Sequence, residues 1–318
     1  MTTQADAAPA AATREAFGPA LIKLADAGFD IVALEADLSA STGGIKLRAE
    51  HPERWYTVGA AEQNMISMAA GLAAAGKTAF CASFAVFMPG HCFDQIRISV
   101  VQPQLNVKLL ASHGGVSVGE DGASAQAIED LALMTALPGL TVLVPTDVVE
   151  AGKAIWAAGT TDGPFYIRVG RPKLPVLYDE SHEFQIGKAH QLREGTDVTV
   201  IACGLLVSAA VDAADALAGD GLSVRVLNMS TIKPLDDEAI LRAARETGAI
   251  VTAEEHNVIG GLGSAVARTL ALQAPTPVEM VGVQDRFGES GTWKQLLARH
   301  GLNAAGVRDA VRRVVARK

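Results

Sequence analysis

The sequence is poor in charge, in aromatic rings and in cysteine, and it has no long apolar run. Only 19% of its 318 residues are charged, against roughly 25% in an average soluble domain. A thinly charged chain implies that part of its surface is covered by a partner. The charge that is present has the wrong sign for nucleic acid. There are 27 Lys and Arg against 35 Asp and Glu, a net charge of −8. No basic excess is available to neutralise phosphodiesters, so nucleic-acid binding is not expected. The longest apolar run, 198–211, is interrupted by Gly204 and Ser208, and it is shorter than the roughly 20 residues of a membrane span. Cys81, Cys92 and Cys203 are odd in number and show no CxxC spacing. Neither a disulfide framework nor a metal site is expected, and the expected location is the reducing cytoplasm. Residues 1–13 hold no Lys or Arg and no apolar h-region. They read as a disordered tail rather than a signal peptide.

What remains is a regular alternation. Short β-rich runs at 31–34, 54–58, 78–82, 105–111, 140–144 and 165–169 are separated by helical stretches such as 61–75 and 148–158. Alternating strands and helices imply βαβ units and a parallel sheet. Residues 171–195, with two prolines and no sustained period, read as a linker. A second series follows, with strands at 197–203, 223–227, 249–253 and 278–281, helices at 205–218, 236–246 and 262–272, and a closing helix at 304–316. The fold class is therefore α/β. Two consecutive doubly wound, mainly parallel-sheet domains are predicted over 14–170 and 196–318.

In open parallel sheets, ligands bind beyond the carboxyl ends of the strands. There the first domain carries the unusual residues. Glu62 opens a helix in GAAEQNM. A carboxylate in a first helical turn is ordinarily there for the macrodipole, but it could also face a ligand nitrogen. Phe80, Phe84 and Phe87 fall within eight residues of a chain that is 5% aromatic. Such a stripe is usually core, yet a flat heteroaromatic ring could stack on it. The run SHGGVSVGEDGAS at 112–124 is long and Gly-rich, more often functional than a plain connection. Two motifs are decoys. GDG at 219–221 lacks the paired Asn that a diphosphate–metal motif needs downstream, and GGLGSAVA at 260–267 lacks dinucleotide-fingerprint spacing.

Taken together, EADLSAST, GAAEQNM, AFCASFAVF, SHGGVSVGEDG and EEHNVIGGLGSAVA resemble the C-terminal half of transketolase over nearly the whole chain. The chain is similar to the smaller subunit of a split, two-chain transketolase: a pyrimidine-binding domain, then the transketolase C-terminal domain. That resemblance implies transfer of a two-carbon ketol unit from a ketose phosphate to an aldose, with thiamine diphosphate as cofactor. It also implies an N-terminal, diphosphate-binding partner subunit that holds Mg²⁺ or Ca²⁺, in an α2β2 assembly. Position by position, Glu62 would hydrogen-bond the pyrimidine N1′, and Phe84 with Phe87 would pack on that ring. Asp37 would lie near the thiazolium. His113 and Asp121 would meet the sugar hydroxyls or the substrate end, and Arg14, Ser41 and Arg171 would hold the substrate phosphate.

One departure stands out. Where the family has GPTHQ after GEDG, this chain has GASAQ, with Ala125 in place of the His. Either the partner supplies a substitute or the substrate differs from ordinary ketose phosphates. Two other readings stay open. One is the β subunit of a 2-oxoacid dehydrogenase or a deoxyxylulose-phosphate-synthase-like enzyme. The other is a non-catalytic partner subunit, against which the retention of Glu62 and both Phe speaks.

Overall fold

A computed structural model describes residues 9–318. The alternation resolves into two sheets. The first has seven strands in the spatial order Thr231–Lys233, Thr141–Leu143, Phe165–Arg168, Val107–Ser112, Thr78–Phe84, Ile31–Glu35 and Trp55–Thr57. All neighbours run parallel except the first pair. The second sheet has the order Val278–Val283, Ile250–Asn257, Val198–Ala202, Val224–Asn228 and His190–Arg193, antiparallel only at the last pair. Central strands such as Ile31–Glu35 and Val198–Ala202 are buried along their whole length. That is why they read as continuous apolar runs rather than as alternation: helices cover both faces of a parallel sheet.

Core packing ties the two units together. One apolar cluster fills a face of the first sheet with Leu34, Cys81, Leu109 and Tyr166 and continues into the second unit through Ile201, Met229, Ile240 and Leu262. Separate clusters cover the far faces, around Phe17, Phe80 and Ile155 in the first unit and around Val200, Val251 and Val311 in the second. The strand Thr231–Lys233 belongs by sequence to the second unit but extends the first sheet.

The chain's start and its middle both differ from the expectation. Residues 1–8 of the expected disordered tail lie outside the described residues. Ala10–Ala11, by contrast, pairs with Leu174–Pro175, Ala12 and Thr13 are buried, and Thr13 Oγ1 accepts from Gly170 N at 2.7 Å. An Ala-rich stretch has little local preference; its order comes from partners some 160 residues away. The segment 171–195 is likewise more than a linker. Asp147 Oδ2 accepts from the amides of Leu177 and Tyr178 at 2.7 and 2.9 Å, and His190–Arg193 is an edge strand of the second sheet. Among the described residues no helix is long and apolar enough to cross a membrane.

Candidate functional site

The carboxyl edge of the first sheet gathers most of the residues singled out from the sequence. Glu62 is the first residue of the helix Glu62–Ala74, and its Oε1 accepts from Ser83 Oγ at 3.3 Å. Ser83 and Phe84 end the strand Thr78–Phe84, so the acid of one element is delivered beside the aromatic ring of the next. Phe87 opens the following helix and stacks on Phe84, with centroids 5.7 Å apart and planes 10° apart. The ladder has two further rungs. His113 lies on Phe84 at 3.9 Å, and His91 lies on Phe87 at 5.5 Å with planes 7° apart. His91 carried no sequence signal, because its place in the stack depends on a helical turn meeting a ring.

His113 connects this wall to a cationic group. It is 3% exposed and adopts φ 60°, and its Nδ1 is 2.7 Å from Ser112 Oγ. Burial, with Arg14 and Arg171 nearby, pulls its pKa down from 6.5 to about 3. Arg14 is lowered too, by burial and then by Arg171. Arg14 Nη1 donates to Ser41 O, and Arg171 Nη1 donates to Val118 O. Arg14, Ser41, His113 and Arg171 thus form one neighbourhood, although 157 positions separate its ends in sequence. Arg14 Nε is buried without a hydrogen-bond partner among the described residues. Two mutually repelling guanidiniums with a spare buried donor are the arrangement an anion would complete. Asp37 and Asp121 are exposed and make no side-chain hydrogen bond among the described residues, so nothing in the chain itself joins them to this group. Asp37 adopts φ 64° two residues after the end of the buried strand Ile31–Glu35.

The Gly-rich run 112–124 is packed rather than loose. A Cβ on Gly115 would lie 2.2 Å from Glu255 Cδ, and one on Gly122 would lie 2.5 Å from Ser290 Oγ. Glu255 Oε1 accepts from Ser117 N at 2.5 Å, and its Oε2 accepts from Ser117 Oγ at 3.1 Å. The second unit therefore moulds the site loop of the first. Ala125 closes that loop in a short 3₁₀ turn and is buried. Both decoys are structural. Gly219–Gly221 sits at the end of the helix Leu206–Ala218, and Glu254 accepts from Leu262 N and Gly263 N, both at 2.7 Å. The chain's own carboxylate thus occupies the helix start where a phosphate would otherwise bind.

His113 yields a direct test. Its folded pKa lies below the unfolded value of 6.5, so the unfolded chain binds the extra proton. Its contribution to stability is intact above 6.5 and is lost as pH falls from there toward about 3. Proton NMR of the imidazole should show no titration between pH 5 and 8, within roughly a unit of the free-histidine range. A midpoint near 6.5 would mean that the ring is solvated.

Two domains, an acid beside an aromatic wall and a pair of neighbouring arginines define a class, and the chain belongs to the transketolase family. Residues 9–176 match the model for the transketolase pyrimidine-binding domain, and 187–307 match that for the transketolase C-terminal domain. Relatives of similar length are named as transketolase subunits. It is 43% identical to the 6-deoxy-6-sulfo-D-fructose transketolase subunit SqwH of Clostridium sp. strain MSTE9, over 96% of this chain and 95% of that one. It is 37% identical to one of the subunits of the apulose-4-phosphate transketolase of Phocaeicola vulgatus, over 93% and 95%. A solved split-gene transketolase, described as an inactive beta4 tetramer, superposes with a TM-score of 0.89 at 44% identity, covering 97% of this chain and 99% of that one. The family is thiamine-diphosphate-dependent, and the chain is a subunit of a ketol-transferring enzyme.

Proposed function

We propose that this chain supplies the pyrimidine half and the substrate-anion half of a shared active site. A diphosphate-binding transketolase subunit would complete it in an α2β2 assembly and would hold the Mg²⁺ or Ca²⁺. The residues fit the cofactor. A half-buried carboxylate at a helix start, beside Phe84 and Phe87, offers a hydrogen-bonding partner and a stacking wall for an aminopyrimidine. When bound, thiamine diphosphate supplies the electron sink for the carbon–carbon bond that breaks in the ketose.

This chain's residues do the rest. Glu62 would hold a proton against the ring nitrogen, and Phe84 with Phe87 would pack on the ring and exclude water. Asp37 would face the thiazolium. His113, neutral at working pH, and Asp121 meet the sugar hydroxyls or the substrate end. Arg14, Ser41 and Arg171 hold the terminal anion. That anion is a phosphate or a sulfonate; the names of the relatives include both. Ala125 leaves the sugar without one donor, which fits a specialised substrate. The observation that carries the reading is the Arg14–Arg171–His113 group beside the Glu62–Phe84–Phe87 wall.

The test is reconstitution. The chain, its partner, thiamine diphosphate and Mg²⁺ are mixed, and ketol transfer is assayed from ketose phosphates and a 6-sulfo ketose. Transfer should require both chains, and calorimetry should show tight cofactor binding only in the mixture. Tight binding to this chain alone, or no transfer from any anionic ketose, would remove the proposal. Decarboxylation of a 2-oxoacid by the pair would favour the dehydrogenase-like alternative.

A further inference from the structure

A buried carboxyl beside the Ser39–Thr42 turn has no part in the reading above. Glu35 closes the strand Ile31–Glu35 and is 0% exposed. Its Oε1 accepts from Thr42 Oγ1, which is itself fully buried and lies 3.4 Å from Ser39 O. Thr42 ends the single helical turn Ser39–Thr42, whose Ser41 carbonyl accepts from Arg14 Nη1. That turn is clamped on both sides. A Cβ on Gly43, at φ 87°, would lie 2.7 Å from Arg14 O, and one on Gly44 would lie 2.8 Å from Glu35 Oε1 and 2.8 Å from the Trp55 ring.

We propose that Glu35 is a positioning residue for substrate: through Thr42 it fixes the turn that presents Ser41 and orients the Arg14 guanidinium. The inference rests on the anion-site reading. A hydrogen bond from a strand end sets this turn's height above the sheet, and a displacement there moves two anion ligands together. The carboxyl acts as an acceptor rather than as a charge. Burial raises its pKa to about 8, opposed by the Thr42 hydrogen bond, so it is mainly neutral at pH 7. A neutral acid holds the turn without competing with the incoming anion for the arginines.

Inorganic phosphate binding to the full chain, followed by calorimetry, provides the test. Glu35→Gln keeps an acceptor in place and should bind within about twofold of wild type, whereas Glu35→Leu and Thr42→Val should each bind about fivefold more weakly, the loss expected for one hydrogen bond. In the assembled enzyme the same two variants should raise KM for a ketohexose 6-phosphate by that factor. Their kcat, and their KM for the unphosphorylated ketohexose, should stay unchanged. Wild-type phosphate affinity in both the Leu and Val variants would overturn the inference. So would a Gln variant as weak as Leu, or an equal rise in KM for both sugars. Failure of the wild-type chain to bind phosphate would instead bring down the anion site itself.

Discussion

Replacing Glu62 with Gln is expected to leave a folded subunit and to lower turnover in the reconstituted enzyme by roughly 10²–10⁴-fold, the range for loss of a positioned acid–base group. The local structure tolerates the change. Glu62 is half-buried, and its side chain bonds Ser83 at 3.3 Å, a contact that an amide oxygen can also accept. Helix Glu62–Ala74 keeps its apolar face of Met65, Ile66, Ala69, Ala70 and Ala73. An amide can still hydrogen-bond a ring nitrogen but cannot take up or release a proton there, so the loss should appear in kcat. A melting curve alongside the assay separates the two effects. Near-wild-type kcat in a well-folded Gln variant would take Glu62 out of proton transfer.

The second large effect is structural. Replacing Arg168 with Met should destabilise the chain by about 3–5 kcal/mol, because it leaves a buried carboxylate without its cation. Arg168 is 5% exposed. Its Nε donates to Asp130 Oδ2 at 2.8 Å, and its Nη2 donates to Ala127 O at 3.1 Å and Glu255 O at 2.9 Å. Tyr166 OH also donates to Asp130 Oδ2 at 2.8 Å. Burial alone would lower the guanidinium's pKa, but Asp130 and Glu255 more than offset it, and the group stays charged. From its strand in the first sheet, the one side chain therefore bonds the start of helix Asp130–Thr135, the segment just after the site loop and a strand of the second unit. Thermal unfolding should fall by roughly 5–10 °C. Adding Asp130→Asn should recover part of that loss by removing the stranded charge, and no recovery would mean that the pair is not coupled.

The parts legible in the sequence are those governed by local period and by short motifs. The buried strands announced themselves as apolar runs, and Glu62, Phe84, Phe87 and the 112–124 loop stood at strand ends where ligands bind. The illegible parts depend on distant partners. Strand Thr231–Lys233 is too short to show a period and is specified by its pairing with Thr141–Leu143. Ala10–Ala11 pairs with Leu174–Pro175, some 160 residues away. Glu255 shapes the site loop from 138 positions away, a contact that no local pattern encodes. Nothing in EADLSAST shows that the Glu35 carboxyl points inward to Thr42.

The strand exchanged between the two units bears on biosynthesis. Until Thr231–Lys233 has left the ribosome, Thr141–Leu143 is an open edge on an otherwise nearly complete sheet. Synthesis runs at about 5–20 residues per second, so that edge waits several seconds for its cover after Arg168 is made. An uncovered apolar edge is a template for wrong pairing. A fragment cut within 171–195 would keep that edge for good, which makes such fragments poor candidates for soluble expression and places the natural unit of folding at the whole two-domain body.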